Sequence, residues 1–122
     1  MRRSAALVFV VAGLLSACNP LAADPKVAIL GRWESPTWKN GAGTPLYVQF
    51  KENGEVHFLN DSSSDFRGEW LFLESGELQI TYPAGFSKRC TVAIDGKKLT
   101  VAQTKCFYGW DAVNPGIVLV KQ

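Results

Sequence analysis

The side chains with the most versatile chemistry in this 122-residue chain are its three cysteines and its single histidine. The cysteines are Cys18, Cys90 and Cys106, and the histidine is His57. His57 stands between two apolar residues of an alternating segment, which turns its side chain outward, toward solvent. Serine or cysteine hydrolase sites would have to use this histidine, and zinc would need a cluster of histidines or cysteines. We therefore expect no catalytic residue, no metal site and no cofactor.

Carboxylates are the other candidates for chemistry. The segment 61–65, Asp-Ser-Ser-Ser-Asp, offers oxygen ligands to a hard cation but lacks the spacing of a calcium loop. Glu69, Glu74 and Glu77 fall at turns or at outward strand positions, where solvation is the ordinary outcome for a carboxylate. Phosphate-binding glycine motifs are absent from the sequence. These observations predict a protein that is not an enzyme.

Cys18 ends the motif Leu15-Ser16-Ala17-Cys18. The motif follows a cationic start and an uncharged apolar run over residues 5–15, which is shorter than the roughly 20 residues a membrane-spanning helix needs. A run of this length is typical of a secretory signal. The motif itself resembles the lipobox of bacterial lipoproteins: a leucine, a small residue, alanine or glycine, then cysteine. The alternative is an ordinary signal peptide that happens to contain a cysteine.

The lipobox resemblance implies that the Cys18 thiol carries a diacylglycerol, that residues 1–17 are removed, and that the new amine is acylated. Several acyl chains anchor a protein stably, since each buried methylene contributes about 0.8 kcal/mol. Asn19 follows the cysteine; an aspartate there would imply retention in the inner membrane of enteric bacteria. We therefore expect a cell-envelope lipoprotein on the outer membrane, facing the periplasm, whose partner is the membrane itself through the N-terminal lipid.

The net charge of +2 comes from the signal region. Without Arg2 and Arg3, the chain has equal numbers of basic and acidic residues. A neutral domain without a basic cluster gives no electrostatic footprint for nucleic acid. We expect no nucleic-acid partner and a monomeric protein.

Cys90 and Cys106 are predicted to form a disulfide, because an exported domain meets oxidising conditions and two cysteines remain after Cys18. Strand register complicates the pairing. A hairpin turning at residues 95–98 would put Cys90 opposite Gln103, so the chain must bulge or double back before Cys106. That reversal would carry the following aromatic segment across one end of the fold.

Short alternating segments separated by glycine, asparagine, aspartate and serine occupy the sequence from residue 30 onward. This pattern predicts an all-β domain over residues 29–122, after a signal peptide at 1–17 and a lipid-anchored tether at 18–28. Asn53-Gly54 and Asp95-Gly96 are predicted turns, and Trp70 is a predicted core residue. We expect a small antiparallel meander barrel of seven or eight strands, because closure removes exposed edges. A two-sheet β-sandwich is the alternative.

Gly31-Arg32-Trp33 opens the first predicted strand. With the meander pattern, it resembles the Gly-x-Trp start of lipocalins and of smaller lipocalin-like bacterial domains. The resemblance implies that Trp33 closes one end of the barrel beneath a basic side chain, for which Arg89 and Lys121 are both candidates. The domain is shorter than a full lipocalin, so side chains are expected to fill its interior.

Aromatic residues near Cys106 supply a candidate binding surface. Phe107, Tyr108 and Trp110 lie in an irregular segment, and Trp38 lies in another connection that could share the surface. Tyrosine and tryptophan are enriched at binding hot spots. The alternative is that the segment is only a lid over the barrel.

The sequence thus predicts a non-enzymatic, lipid-anchored binding module of the cell envelope, with an envelope protein as a possible partner. The alternative function is an inhibitor or immunity protein acting on a periplasmic enzyme such as a protease. Small exported barrels that inhibit proteases are similar in size and in having one disulfide. A small-molecule carrier would require a real cavity inside the barrel.

Overall fold

The computed structural model describes residues 24–60, 65–102, 106–107 and 116–122. One helical turn, α1 (Pro25–Ala28), precedes the strands. The nine strands are β1 (Gly31–Lys39), β2 (Pro45–Phe50), β3 (Glu55–Leu59), β4 (Asp65–Phe72), β5 (Leu78–Thr81), β6 (Ser87–Cys90), β7 (Val92–Asp95), β8 (Lys98–Val101) and β9 (Ile117–Lys121). None of the helices in these residues is long and apolar enough to cross a membrane.

All nine strands belong to one antiparallel sheet. Chain neighbours pair in turn from β1 to β6 and from β7 to β9, and β9 pairs back with β1. The sheet therefore curls into a nearly closed meander barrel, which confirms the predicted all-β barrel over the two-sheet sandwich.

The chain changes its strand-pairing partner at Thr91. β6 pairs with β5, whereas β7, which begins one residue later, pairs with β8 on the other side. The two segments act as one bent strand, so the nine segments occupy eight positions around the barrel. The Thr91 carbonyl accepts a hydrogen bond from the Ala102 amide at 3.2 Å, which helps to fasten the bend to the end of β8.

Four hairpins turn with the same five-residue geometry. In each, the first residue's amide donates to the fifth residue's carbonyl, and the amide of a glycine at position four donates back to the first residue's carbonyl. The glycine has a positive φ of 85–93°, as expected for a type I turn followed by a left-handed residue. These turns begin at Asn40, Lys51, Leu73 and Tyr82. The predicted Asn53-Gly54 turn is the second of them.

The connections divide between two ends of the barrel. The entry end carries α1 and the turns that join β2 to β3, β4 to β5 and β7 to β8. The far end carries the connections from β1 to β2, β3 to β4, β5 to β6 and β8 to β9. Because α1 directly precedes β1, the chain reaches the barrel at the entry end.

Trp33 closes the entry end from within. Its side chain is fully buried, and its indole N–H donates to the carbonyl oxygen of Ile29 at 2.8 Å. The ammonium group of Lys121, on the last strand, lies 5.3 Å from the centre of the Trp33 ring. Arg89 is exposed on β6. Of the two basic candidates, the structure selects Lys121, in the arrangement that the lipocalin resemblance implies.

Large side chains fill the interior, as predicted for a barrel of this size. The fully buried aromatic residues are Trp33, Phe50, Phe58 and Phe107. Trp70 differs from its prediction as a core residue, because it lies half-buried near the entry end. Its ring meets Phe50 edge-on at 5.6 Å, and its indole N–H reaches the Lys51 carbonyl at 2.9 Å, in the adjacent turn. That polar partner holds Trp70 at the margin of the core.

Candidate binding surface at the far end

Trp38 is held outward by an irregular stretch of β1. The pairing of β1 with β2 is interrupted between Glu34 and Lys39. Within this stretch, the buried Ser35 hydroxyl accepts the Trp38 amide at 2.9 Å. The indole is 43% exposed, an unusual state for so large an apolar ring. Trp38 therefore lies on an accessible surface at the far end.

The connection from β8 to β9 is fastened to the barrel at Cys106. Cys106 forms a disulfide with Cys90, with the two Cα atoms 5.4 Å apart, which confirms the predicted bridge. The Tyr82 hydroxyl also donates to the Cys106 carbonyl oxygen. Both Cys106 and Tyr82 are buried, so the two links lie inside the far end of the barrel.

Phe107 corrects one part of the predicted surface. Its side chain is only 1% exposed and belongs to the same hydrophobic core as Trp33 and Phe58. Because the disulfide draws the neighbouring Cys106 inward, the Phe107 ring fills the barrel instead of facing a partner. Tyr108 and Trp110 lie outside the described residues. Phe107 follows β8 at the far end, and β1, the strand that carries Trp38, also ends there.

Phe86 is an exposed aromatic residue at the far end that the sequence reasoning did not single out. It is 40% exposed and stacks on Tyr82, with ring centres 4.9 Å apart and planes 19° apart. Tyr82 in turn meets Phe58 edge-on at 5.6 Å. The aromatic contacts thus run from the core to the rim. A phenylalanine directly after the Pro83-Ala84-Gly85 turn was the available signal, because apolar residues at turns are commonly exposed.

The disulfide should contribute about 3 kcal/mol to the free energy of unfolding, the value expected for a closed loop of this length. We expect the double variant Cys90→Ala, Cys106→Ala to lose about that much in urea denaturation, without loss of the β-rich circular dichroism spectrum. Reducing the native protein with dithiothreitol is the matched control and should produce a similar loss. Unchanged stability in both experiments would show that the bridge does not fasten this connection.

A polar cluster covers part of the outer wall across β1 to β4. His57 Nε2 lies 3.5 Å from a carboxylate oxygen of Asp65, and the Tyr47 ring meets the imidazole edge-on at 5.6 Å. The guanidinium of Arg32 lies 3.8 Å above the Tyr47 ring. His57 faces outward as predicted, but these neighbours leave its side chain only 18% exposed. It is therefore a packed wall residue and not a fully solvated one.

This polar cluster explains why the pKa of Tyr47 departs from its ordinary value. The pKa of Tyr47 is raised above its ordinary value of 10.0, first because burial disfavours the phenolate and then because Asp65 is negatively charged. Arg32 and Arg67 oppose the shift. A group whose pKa is raised by folding stabilises the fold below the unfolded value. This contribution is lost as the pH rises through the higher folded value.

We therefore expect the midpoint of the phenolate absorbance that Tyr47 contributes to lie above the ordinary pKa of a tyrosine. The measurement is the difference between the ultraviolet titrations of the native protein and of Tyr47→Phe. Asp65→Asn should move the Tyr47 transition back toward the ordinary value, since it removes one cause and leaves burial in place. Titration of Tyr47 at the ordinary value in both proteins would contradict this account.

The described part of the far end offers exposed aromatic side chains, Trp38 and Phe86. Among the described residues, no group of three or more histidines, cysteines, aspartates or glutamates could hold a metal ion. Glu55, one further carboxylate of the wall, has a pKa lowered by its hydrogen bond and ion pair with Lys51, as an ordinary surface pair does. No protein-family model matches the chain, and no curated protein is significantly similar to it in sequence.

Proposed function

We propose that this protein is a lipid-anchored binding module of the cell envelope, displayed on the periplasmic face of the outer membrane. The observation that carries the proposal is that the chain arrives at one end of the barrel and the exposed aromatic side chains lie at the other. The chain arrives from Cys18 at the entry end, through Asp24 and α1. The exposed Trp38 lies at the far end. A lipid on Cys18 would therefore present the aromatic far end toward the periplasm.

The filled interior favours a protein partner over a small molecule. Carrier barrels hold ligands in an internal cavity, whereas here Phe58 and Phe107 occupy the interior below the far end. Tryptophan and phenylalanine are enriched at protein–protein interfaces, and both are exposed here. Trp38 and Phe86 supply such side chains on opposite parts of the rim.

Inhibition of an envelope enzyme is the second candidate function. It is favoured by the fastening of the β8–β9 connection at Cys106 through both a disulfide and the Tyr82 hydrogen bond. Inhibitory loops gain affinity when their conformation is fixed before binding, because less freedom is lost in the complex. A protease whose activity falls on stoichiometric addition of the purified domain would establish this more specific form of the proposed function.

The test is site-specific photo-crosslinking in living cells. A photoreactive phenylalanine analogue in place of Trp38 should give a discrete crosslinked product with an envelope protein. The same analogue in place of Val120, which is 39% exposed on the barrel wall at the level of Glu34, further from the far end, should give none. Equal crosslinking from both positions, or none from either position, would argue against a binding surface at the far end.

A further inference from the structure

The entry end carries exposed apolar side chains around α1. Val27 is 63% exposed on α1, and Leu71 is 47% exposed near the end of β4. Between them lies a cleft of about 680 Å³, whose apolar lining includes Leu30 and Phe72. We call Val27, Leu30, Leu71 and Phe72 the entry-end apolar surface. Exposed apolar groups that cluster in this way mark contact sites more often than isolated ones do.

A second cleft extends this apolar character across the same end. It has a volume of about 620 Å³ and lies between α1 and β7, where Val92 and Ile94 are half-buried. Phe72 lines both clefts, so the apolar lining continues from one side of α1 to the other. The bend at Thr91 contributes to this opening, because β7 pairs with β8 and leaves the side of β5.

The length of the preceding chain limits what can cover this surface. Only residues 19–23 separate Cys18 from Asp24, the residue that caps α1. Even fully extended, the six steps from Cys18 to Asp24 reach about 20 Å. A lipid at Cys18 would therefore hold the entry end close to the bilayer, with its apolar side chains on the side from which the chain arrives.

We propose that the entry-end apolar surface rests on the bilayer, with Val27 and Leu71 in contact with the boundary between headgroups and acyl chains. The inference rests on the lipid anchor of the proposed function and adds a fixed orientation to it. The barrel stands upright on the membrane, and the far end points away. Apolar contact with the lipid boundary supplements an acyl anchor, because each adds buried apolar area.

Charge does not drive this contact. The borders of the two clefts carry Lys26 and Lys121, but also Glu52 and Asp95. With both signs present, attraction to anionic lipids has no net source on this surface. The contact should therefore be equally strong on zwitterionic and anionic bilayers and should withstand added salt.

The test uses the mature, acylated protein in vesicles of phosphatidylethanolamine and phosphatidylglycerol. Leu71→Cys and Val118→Cys provide matched positions, one on the proposed surface and one on the exposed barrel wall. The native cysteines do not compete for a maleimide fluorophore, since Cys90 and Cys106 are bridged and Cys18 is acylated in this proposal. Lipids with brominated acyl chains quench only fluorophores that touch the bilayer.

We expect quenching at position 71 to be roughly threefold stronger than at position 118, with a blue-shifted emission, because only position 71 meets the acyl boundary. Adding Val27→Asp should bring quenching at position 71 down to the level at position 118. Equal quenching at both positions would overturn the proposal. A blue shift without quenching would also overturn it, by showing that protein covers the surface. An intact mass without acyl chains would instead refute the lipid anchor itself, before any fluorescence is measured.

Discussion

Cys18→Ser should abolish lipidation of the protein. The serine hydroxyl is a far weaker nucleophile than a thiol, so the substitution removes the group that would receive the diacylglycerol. The expected product carries no palmitate label and either keeps residues 1–17 or is released as a soluble protein. Metabolic labelling with palmitate and intact mass measurement decide between these states, and carbonate washing shows whether the protein stays with membranes.

The matched control for Cys18→Ser is the double variant Cys90→Ser, Cys106→Ser. It removes the other two cysteines and should keep the lipid, because these thiols form the disulfide inside the barrel. Palmitate on the Cys18→Ser protein, or a mass that differs from the native one only by the oxygen-for-sulfur exchange, would refute the anchor. Recovery of the native protein in inner-membrane fractions would refute only the outer-membrane location predicted from Asn19.

Trp33→Ala should be the most destabilising single substitution in the barrel, with a loss of about 3–5 kcal/mol in the free energy of unfolding. The indole is fully buried, and its removal leaves a cavity at the entry end. It also leaves the Ile29 carbonyl without its indole donor and Lys121 without its aromatic partner. Domains of this size unfold with about 5–15 kcal/mol, so the variant should be near the limit of folding.

Urea denaturation of Trp33→Ala beside Trp38→Ala tests this expectation. Both variants lose a tryptophan from β1, but Trp38 is 43% exposed and should change stability by only about 0.5 kcal/mol. Trp33→Phe fills most of the cavity without restoring the hydrogen bond and should be intermediate. Similar denaturation midpoints for the two alanine variants would show that Trp33 does not close the barrel.

Local patterns predicted most of the fold. The alternation of apolar residues and the Asn53-Gly54 turn depend on neighbours in sequence, and both match the structure. The change of partner at Thr91 could not be predicted in this way. Cys90, Val92 and Ile94 continue one alternating pattern, and only the closure of the sheet decides that the first half of the strand pairs with β5 and the second with β8.

The candidate binding surface was less predictable than the fold. The composition of a segment does not determine whether its side chains point into the barrel or toward solvent. Trp38 lies near the end of β1 and Phe107 lies after β8, so both are aromatic residues at the far end. Fastening of the connection by the disulfide draws Phe107 into the core, whereas the Ser35 hydrogen bond holds the Trp38 backbone in an outward-facing stretch. The disulfide itself was predictable, since counting cysteines on the expectation of an exported domain requires no geometry.

The burial of side chains on the outer wall of the barrel could not be predicted from sequence alone either. Tyr47 occupies an outward position of β2 yet is only 7% exposed, because Arg32 covers its ring and His57 lies beside it. Strand alternation assigns such a residue to solvent. The side chains that shield it come from two neighbouring strands, and their contribution depends on a register that sequence spacing alone does not fix.

The pairing of β1 with β9 bears on when the domain can fold. Trp33 faces Lys121 across this pair, so the last contact of the barrel joins the beginning of the domain to its end. Contacts between distant parts of a chain form slowly, because a large loop must close before they provide any stabilisation. A chain that emerges from a translocation channel with its N-terminus first would lack β9 until the very end. If the domain is exported as we propose, its barrel would stay open until β9 had left the channel, and the chain would remain unfolded enough to pass.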